Sequence, residues 1–197
     1  MPSPEAPEFH TKPLARLCST NPGKLRELRA ALPEWEIDLL GADDYPPETG
    51  ETYYENARAK AEFGRALEPE LWVLGEDSGL EVAGLDGLPG VHSARFGGDN
   101  PVARLLEELD GVADRRARYV CELVALDPDG GEHRGTGTVE GHIVDEPRGT
   151  EGFGYDPIFV PDREERTVAE LGNEWKRSNS HRARAADSLK WVMETAD

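Results

Sequence analysis

Residues 116–144, RARYVCELVALDPDGGEHRGTGTVEGHIV, constrain the fold more than any other stretch. Long runs rich in β-branched and aromatic residues flank DPDGG, a cluster of turn formers, so the segment reads as a hairpin of two long antiparallel strands. Such a pair excludes an all-helical protein. Around it, LARLCS and LWVLG read as short strands, and "GLEVAGLDGLPGVHSARFGG" as a strand with irregular connections. PVARLLEELD reads as a helix, and EPRGTEGFGYDPIFV as loop into strand. TNPGKLRELRAAL places Leu25, Leu28 and Leu32 on one helical stripe behind an Asn21 cap and Pro22. TYYENARAKAEFGRAL opens with a capping box, Thr52 to Glu55, and sets Asn56 and Lys60 one turn apart. From about Thr167 the chain reads as helical to its end. Strands and helices alternate without a strict βαβ rhythm, which predicts an α/β fold with an elongated mixed sheet flanked by helices rather than a doubly wound parallel one.

The 197 residues carry no internal repeat, and one domain of two lobes around a cleft, residues 14–197, is expected. The first thirteen residues, rich in proline and acid, read as a disordered extension without the apolar core of a signal peptide. Charges interrupt every long apolar window, so no membrane partner is expected and the cytoplasm is the expected compartment. Cys18 and Cys121 lie in apolar strand contexts and read as core filler. The net charge of −18 argues against a nucleic-acid partner. Cations do gather locally, at Lys176, Arg177, Arg182 and Arg184, either as a solvated helical face or as an anion site.

Three stretches could carry chemistry. In STNPGK, Ser19, Thr20, Asn21 and Lys24 sit at a strand-to-helix junction, where exposed N–H groups and a lysine suit a phosphate; an ordinary N-cap is the plainer alternative. Glu76 and Asp77 in EDSG, expected to bend at Ser78 and Gly79, could join Glu48 from PPETG as hard oxygen ligands for Mg²⁺. Spacing alone favours three solvated acids. In GFGYDPIF, Phe153 or Tyr155 could stack on a base with Asp156 as an acceptor, while Gly152 and Gly154 admit close approach; both rings could equally be core.

In order, STNPGKLREL, ETGETYYENARAKA, EDSGLEVAGLDGLPGVHSARF, GFGYDPIF and TVAEL leading to SHR resemble the signatures of the inosine triphosphate pyrophosphatase, or Ham1, family, from about Leu14 to Trp191. The resemblance implies a Mg²⁺-dependent enzyme, usually a homodimer. It would cleave purine nucleoside triphosphates such as ITP, dITP and XTP to the monophosphate and pyrophosphate, and so keep deaminated purines out of DNA and RNA. By motif, Ser19, Thr20, Asn21, Lys24 and Lys60 would hold the phosphates. Glu48 and Asp77 would hold the metal with Glu76 auxiliary, and Asp77 would be the general base, with Lys60 also catalytic. Ser78 would contact substrate near the metal, and Phe153, Gly154, Tyr155, Asp156, Lys176, His181 and Arg182 would form the base pocket. Donors from Lys176, His181 or Arg182 would suit a 6-keto purine and face a like donor in adenine. The chain departs from the family at Glu76, where many bacterial relatives have Asp, and at Trp175, where an acid is common before Lys176. A pyrophosphatase of broader base preference and a nucleotide sensor without turnover are the rival expectations.

Overall fold

The computed structural model describes residues 12–195. Six strands form one sheet in the order β2-β1-β3-β4-β5-β6: β1 (Leu14–Leu17), β2 (Glu36–Leu39), β3 (Trp72–Val82), β4 (Arg116–Leu126), β5 (Glu132–Ile143) and β6 (Phe159–Pro161). β1 pairs in parallel with β2 and β3, and every later pairing is antiparallel, so the sheet is mixed as expected. The hairpin is β4–β5, in register from Leu126↔Glu132 to Arg116↔His142. β2 was not foreseen. Only Ile37 of its four residues is fully buried, and two of the others are acids, so its pattern is too short to show.

Five helices flank the sheet: α1 (Pro22–Ala31), α2 (Tyr53–Leu67), α3 (Pro101–Glu108), α4 (Val168–Asn179) and α5 (His181–Thr195). Both foreseen caps form. Asn21 accepts from Gly23 N and Lys24 N, and Thr52 and Glu55 close the capping box of α2. The final helical stretch is interrupted. Gly172 takes φ 81°, and Ser180 is extended, with its hydroxyl accepting from Ala183 N to start α5. Of the extension expected at 1–13, residues 1–11 lie outside the described residues; Lys12 Nζ donates to Pro33 O and Pro13 O accepts from Glu36 N, which ties these two to the fold.

The two expected strands LWVLG and GLEV are one continuous β3, and EDSG lies in its middle without a bend. Residues along it therefore alternate between faces. Gly75 meets α2 so closely that a Cβ there would lie 1.9 Å from Ala57 O, and Asp77 follows on that face. On the other face Leu74 packs into a core with α1 and α5, while Leu80 and Val82 pack into a second core with Leu105, Tyr119, Tyr155 and Phe159. Between the two cores that face carries Glu76 and Ser78. The cleft is this polar break in an otherwise apolar strand face.

Helix α5 reaches the break because β5 offers glycines beneath it: a Cβ on Gly137 would stand 2.1 Å from His181 O and 2.4 Å from Ala185 N. Those neighbours are backbone and cannot swing aside. Gly137→Ala is expected to lower stability by about 1–3 kcal/mol in urea melts, as overpacking does. A melt matching the parent would show that α5 does not rest on this glycine.

Candidate active site

Two adjoining cavities open along the polar break. One, of about 370 Å³, lies between the start of α1 and the β2–α2 connection, and is lined by Ser19, Thr20, Asn21, Lys24, Glu48 and Lys60, among others. The second, of about 350 Å³, is lined by Ser78, Phe153, Tyr155, Lys176, His181 and Arg182, among others. Asn21, Lys24 and Ala94 line both. A ligand with a polyanionic end and a flat, polar-edged end matches this pair.

At the first cavity, Lys60 holds Glu48 and also Asp77, the latter at 3.1 Å, so one ammonium bridges two carboxylates from different elements. Asn56 donates to the other oxygen of Asp77 at 3.0 Å. Burial raises the Asp77 carboxyl above its usual range, and Lys60 and Lys24 offset this only in part. Glu48 is pushed up by burial too, but its hydrogen bond to Lys60 and the charges of Lys60, Lys24 and Arg95 prevail and leave it lowered. Two carboxylates of unlike proton affinity thus face one cation.

The second cavity is backed by a buried chain of alternating charge. Lys24 meets Glu76 at 2.6 Å, Glu76 meets Arg182 at 3.0 Å, Arg182 meets Glu27 at 3.1 Å, and Glu27 meets Lys176 at 2.6 Å; Lys176 ends on Asp156 at 2.6 Å. The ring of Phe153 lies beneath the two pocket cations, 4.4 Å from Lys176 Nζ and 5.2 Å from Arg182 Cζ. His181 stacks on Tyr119 with centroids 4.6 Å apart. Burial and the neighbouring Arg182 press its pKa well down, so the ring is neutral.

The Ham1 family profile matches residues 15–192. The chain belongs to the Ham1 family. It is 47 % identical over 177 residues to a dITP/XTP pyrophosphatase of Deinococcus deserti, covering 86 % of this chain and 84 % of that one. To the dITP/XTP pyrophosphatase of Deinococcus radiodurans it is 45 % identical, over 88 % and 89 % of the two chains. The solved Ham1 protein of Staphylococcus aureus superposes with a TM-score of 0.81 at 37 % identity, over 93 % of this chain and all of that one.

In this Ham1 protein the expected residues line the two cavities except Glu76 and Asp77, the latter buried behind Lys60 and Asn56, and there are three differences of use. Glu76 was expected as an auxiliary metal ligand; it points to the opposite face of β3 from Asp77, is fully buried, and spends its oxygens on Lys24 and Arg182. Asp156 was expected to accept from a base, yet its oxygens already take Lys176 Nζ, Phe153 N and the Tyr119 hydroxyl. The two rings divide: Phe153 is half-buried at the cavity wall, whereas Tyr155 belongs to the second core and donates to Ser93 O. Ser78 accepts from Arg182 at 2.7 Å. Trp175 turns away to Glu164 and leaves Lys176 undisturbed. Of the basic run, Lys176 and Arg182 face inward while Arg177 and Arg184 are exposed.

Sequence reasoning missed Glu27, which is 7 % exposed and grips both Lys176 and Arg182. Its one available signal was its position three residues after Lys24, on the same face of α1. Tyr119 was missed because it looked like any aromatic in a strand.

The charge chain makes a prediction about acid. Burial alone would raise the Glu76 carboxyl, but Arg182, Lys24 and Lys60 prevail and hold it far below the usual carboxylate range. A folded-state pKa below the unfolded one stabilises above the unfolded value, and the contribution is lost as pH falls. Glu76→Gln is therefore expected to be less stable than the parent at pH 7, with the gap in urea midpoint narrowing between about pH 5 and pH 3. A gap that stays constant over that interval would show that Glu76 matters by shape alone.

Proposed function

We propose that this protein hydrolyses deaminated purine nucleoside triphosphates, dITP, ITP and XTP, to the monophosphate and pyrophosphate, with Mg²⁺ as its metal. The observation that carries the reading is the pair of cavities sharing Asn21 and Lys24. A phosphate tail fits beside the N-terminus of α1, and a base fits among Phe153, Lys176, His181 and Arg182. The names of the Deinococcus relatives support dITP and XTP among these substrates.

The donor set fits a divalent cation. Glu48 and Asp77 already share one cationic group, and both offer hard oxygens. They would hold the ion, which neutralises phosphate charge and eases ionisation of a bound water. The remaining steps belong to the chain. Asn21 and Lys24, at the positive end of the α1 dipole, hold phosphate oxygens. Lys60 moves charge from the carboxylates to the tail. Asp77, with its raised proton affinity and its second oxygen fixed by Asn56, accepts a proton from water as the water oxygen bonds to the α-phosphorus. The bond from the α-phosphorus to the bridging oxygen breaks, and pyrophosphate leaves. Glu76 and Asp156 act as counter-ions that fix Lys24, Arg182 and Lys176.

At the base, Lys176, His181 and Arg182 present only donors to the 6-keto edge, and adenine's amine would leave one unpaired at a cost of about 1–3 kcal/mol. We take the cytoplasm as its compartment on the expected substrates, and no helix among the described residues is long and apolar enough to cross a membrane. We take the working unit to be a homodimer on the family resemblance, which light scattering checks.

Pyrophosphate release from dITP and XTP should exceed that from ATP by at least about tenfold, the equivalent of one unpaired donor, and should cease in EDTA. Equal rates on dITP and ATP would discard the reading. Asp77→Asn is expected to lose turnover by at least about a hundredfold while its affinity for dITP, measured by calorimetry, changes little.

A further inference from the structure

The stretch VHSARF, residues 91–96, is used by none of the roles above, yet it forms one wall of both cavities. Ala94 lines both, Ser93 only the base cavity and Arg95 only the phosphate cavity. The wall is anchored. The Ser93 hydroxyl accepts from Leu80 N at 2.8 Å and donates to Gly90 O at 2.6 Å, and Ser93 O accepts from the Tyr155 hydroxyl. Residues 92–96 are further tied by Arg95 N to His92 O and Phe96 N to His92 O.

Arg95 is the outermost cation of the site, with 49 % of its side chain exposed, against 13 % for Lys24 and 11 % for Lys60. Its partners are few. Nη1 donates to Glu48 Oε2 at 2.9 Å, and Nη2 donates to Glu48 O and approaches His92 Nδ1, each at 3.4 Å. A guanidinium has five N–H donors in a planar fork, so capacity for a phosphate remains after these contacts. Its carboxylate partner is also the one for which Lys60 competes. A tail that recruits Glu48 to a metal loosens the hold on Arg95.

Position selects which phosphate it meets. The base cavity and the phosphate cavity join at Asn21, Lys24 and Ala94, so on the reading above the α-phosphate sits near that junction. Arg95 stands off the junction, on the wall of the phosphate cavity alone. We propose that Arg95 binds the β- and γ-phosphates, the portion that departs as pyrophosphate, and stabilises the charge that gathers there as the bond breaks. The proposal rests on the hydrolysis described above and adds a substrate contact to it.

The test uses the full chain and two ligands, Mg²⁺–pyrophosphate and deoxyinosine monophosphate, titrated by calorimetry into the parent, Arg95→Ala and Arg95→Lys. Arg95→Ala should weaken pyrophosphate by at least about tenfold, as loss of a charged hydrogen-bonding pair does, and leave the monophosphate within about twofold. Arg95→Lys should fall between, because it keeps charge and loses the fork. Unchanged pyrophosphate affinity in Arg95→Ala overturns the proposal. Equal weakening of both ligands overturns it too, since the wall has then simply shifted. A third readout separates direct contact from action through Glu48: Mn²⁺ binding to the nucleotide-free protein, by electron paramagnetic resonance, should not weaken in Arg95→Ala, and a loss there matching the pyrophosphate loss overturns the proposal. If the parent binds pyrophosphate but releases none from dITP, the functional reading fails while the Arg95 contact still stands or falls on its own titration.

Discussion

Six ionised side chains, Lys24, Glu76, Arg182, Glu27, Lys176 and Asp156, lie end to end inside this protein, and five of them are less than a tenth exposed. A lone buried charge costs several kcal/mol, so none of these could persist without neighbours of opposite sign on either hand. The alternation meets that demand. It also ties together separate parts of the chain: α1 gives Lys24 and Glu27, β3 gives Glu76, the loop before β6 gives Asp156, α4 gives Lys176 and α5 gives Arg182. Moving any one of these segments strands a charge. The two apolar cores on either side are thereby held at a fixed distance across a polar seam, and the seam is the cleft.

Neutrality along the chain has a consequence for binding. Adding Lys60, Arg95, Glu48 and Asp77, the site holds five cations and five carboxylates, all mutually paired. Such a site has little net pull on a polyanion, and the rest of the protein, at −18 overall, repels one. On the proposed function a triphosphate must therefore bring compensating charge with it, and a divalent cation carried on the tail would do so while giving Glu48 and Asp77 a better partner than an ammonium. The pairing that holds the empty cleft together thus favours a metal-bearing tail over a bare one.

What the sequence displayed and what it hid follow from range. The Asn21 cap, the Thr52–Glu55 box and the β4–β5 hairpin are local devices, each written within a few residues of where it acts, and each could be read directly. Asp77 stood out in EDSG as a candidate metal ligand, but the role of Lys60 came from the resemblance, and their contact joins residues 17 apart. Glu27 and Arg182 are 155 apart, and a glutamate inside an amphipathic helix advertises nothing about a partner that distant. Glu76 misled for a different reason. Two adjacent acids suggested a shared ligand, whereas an unbent strand sends neighbours to opposite faces, so Asp77 went to the α2 side and Glu76 to the charge chain. The bend expected at Ser78 and Gly79 is absent because both lie inside β3, and elsewhere in the sheet Gly75, Gly135 and Gly137 make room for helices.

The same chain of charges fixes the proton on His181. Arg182 Nη1 lies 3.1 Å from His181 Nε2, and a guanidinium can only donate, so Nε2 must accept and the ring's single proton belongs on Nδ1. The buried ring stays neutral because Arg182 beside it and the desolvation around it both oppose a second proton. Arg182 in turn cannot relax, since Glu76 and Glu27 hold its other donors and raise its own pKa. A ring so constrained keeps one donor and one occupied acceptor through the physiological range. Lys176 is likewise locked between Glu27 and Asp156, so the second cavity presents donors in fixed positions. On the proposed function, recognition of a keto edge against an amine would then depend on fixed hydrogen-bond polarity, which is a property of the buried pairs behind the pocket as much as of the atoms that line it.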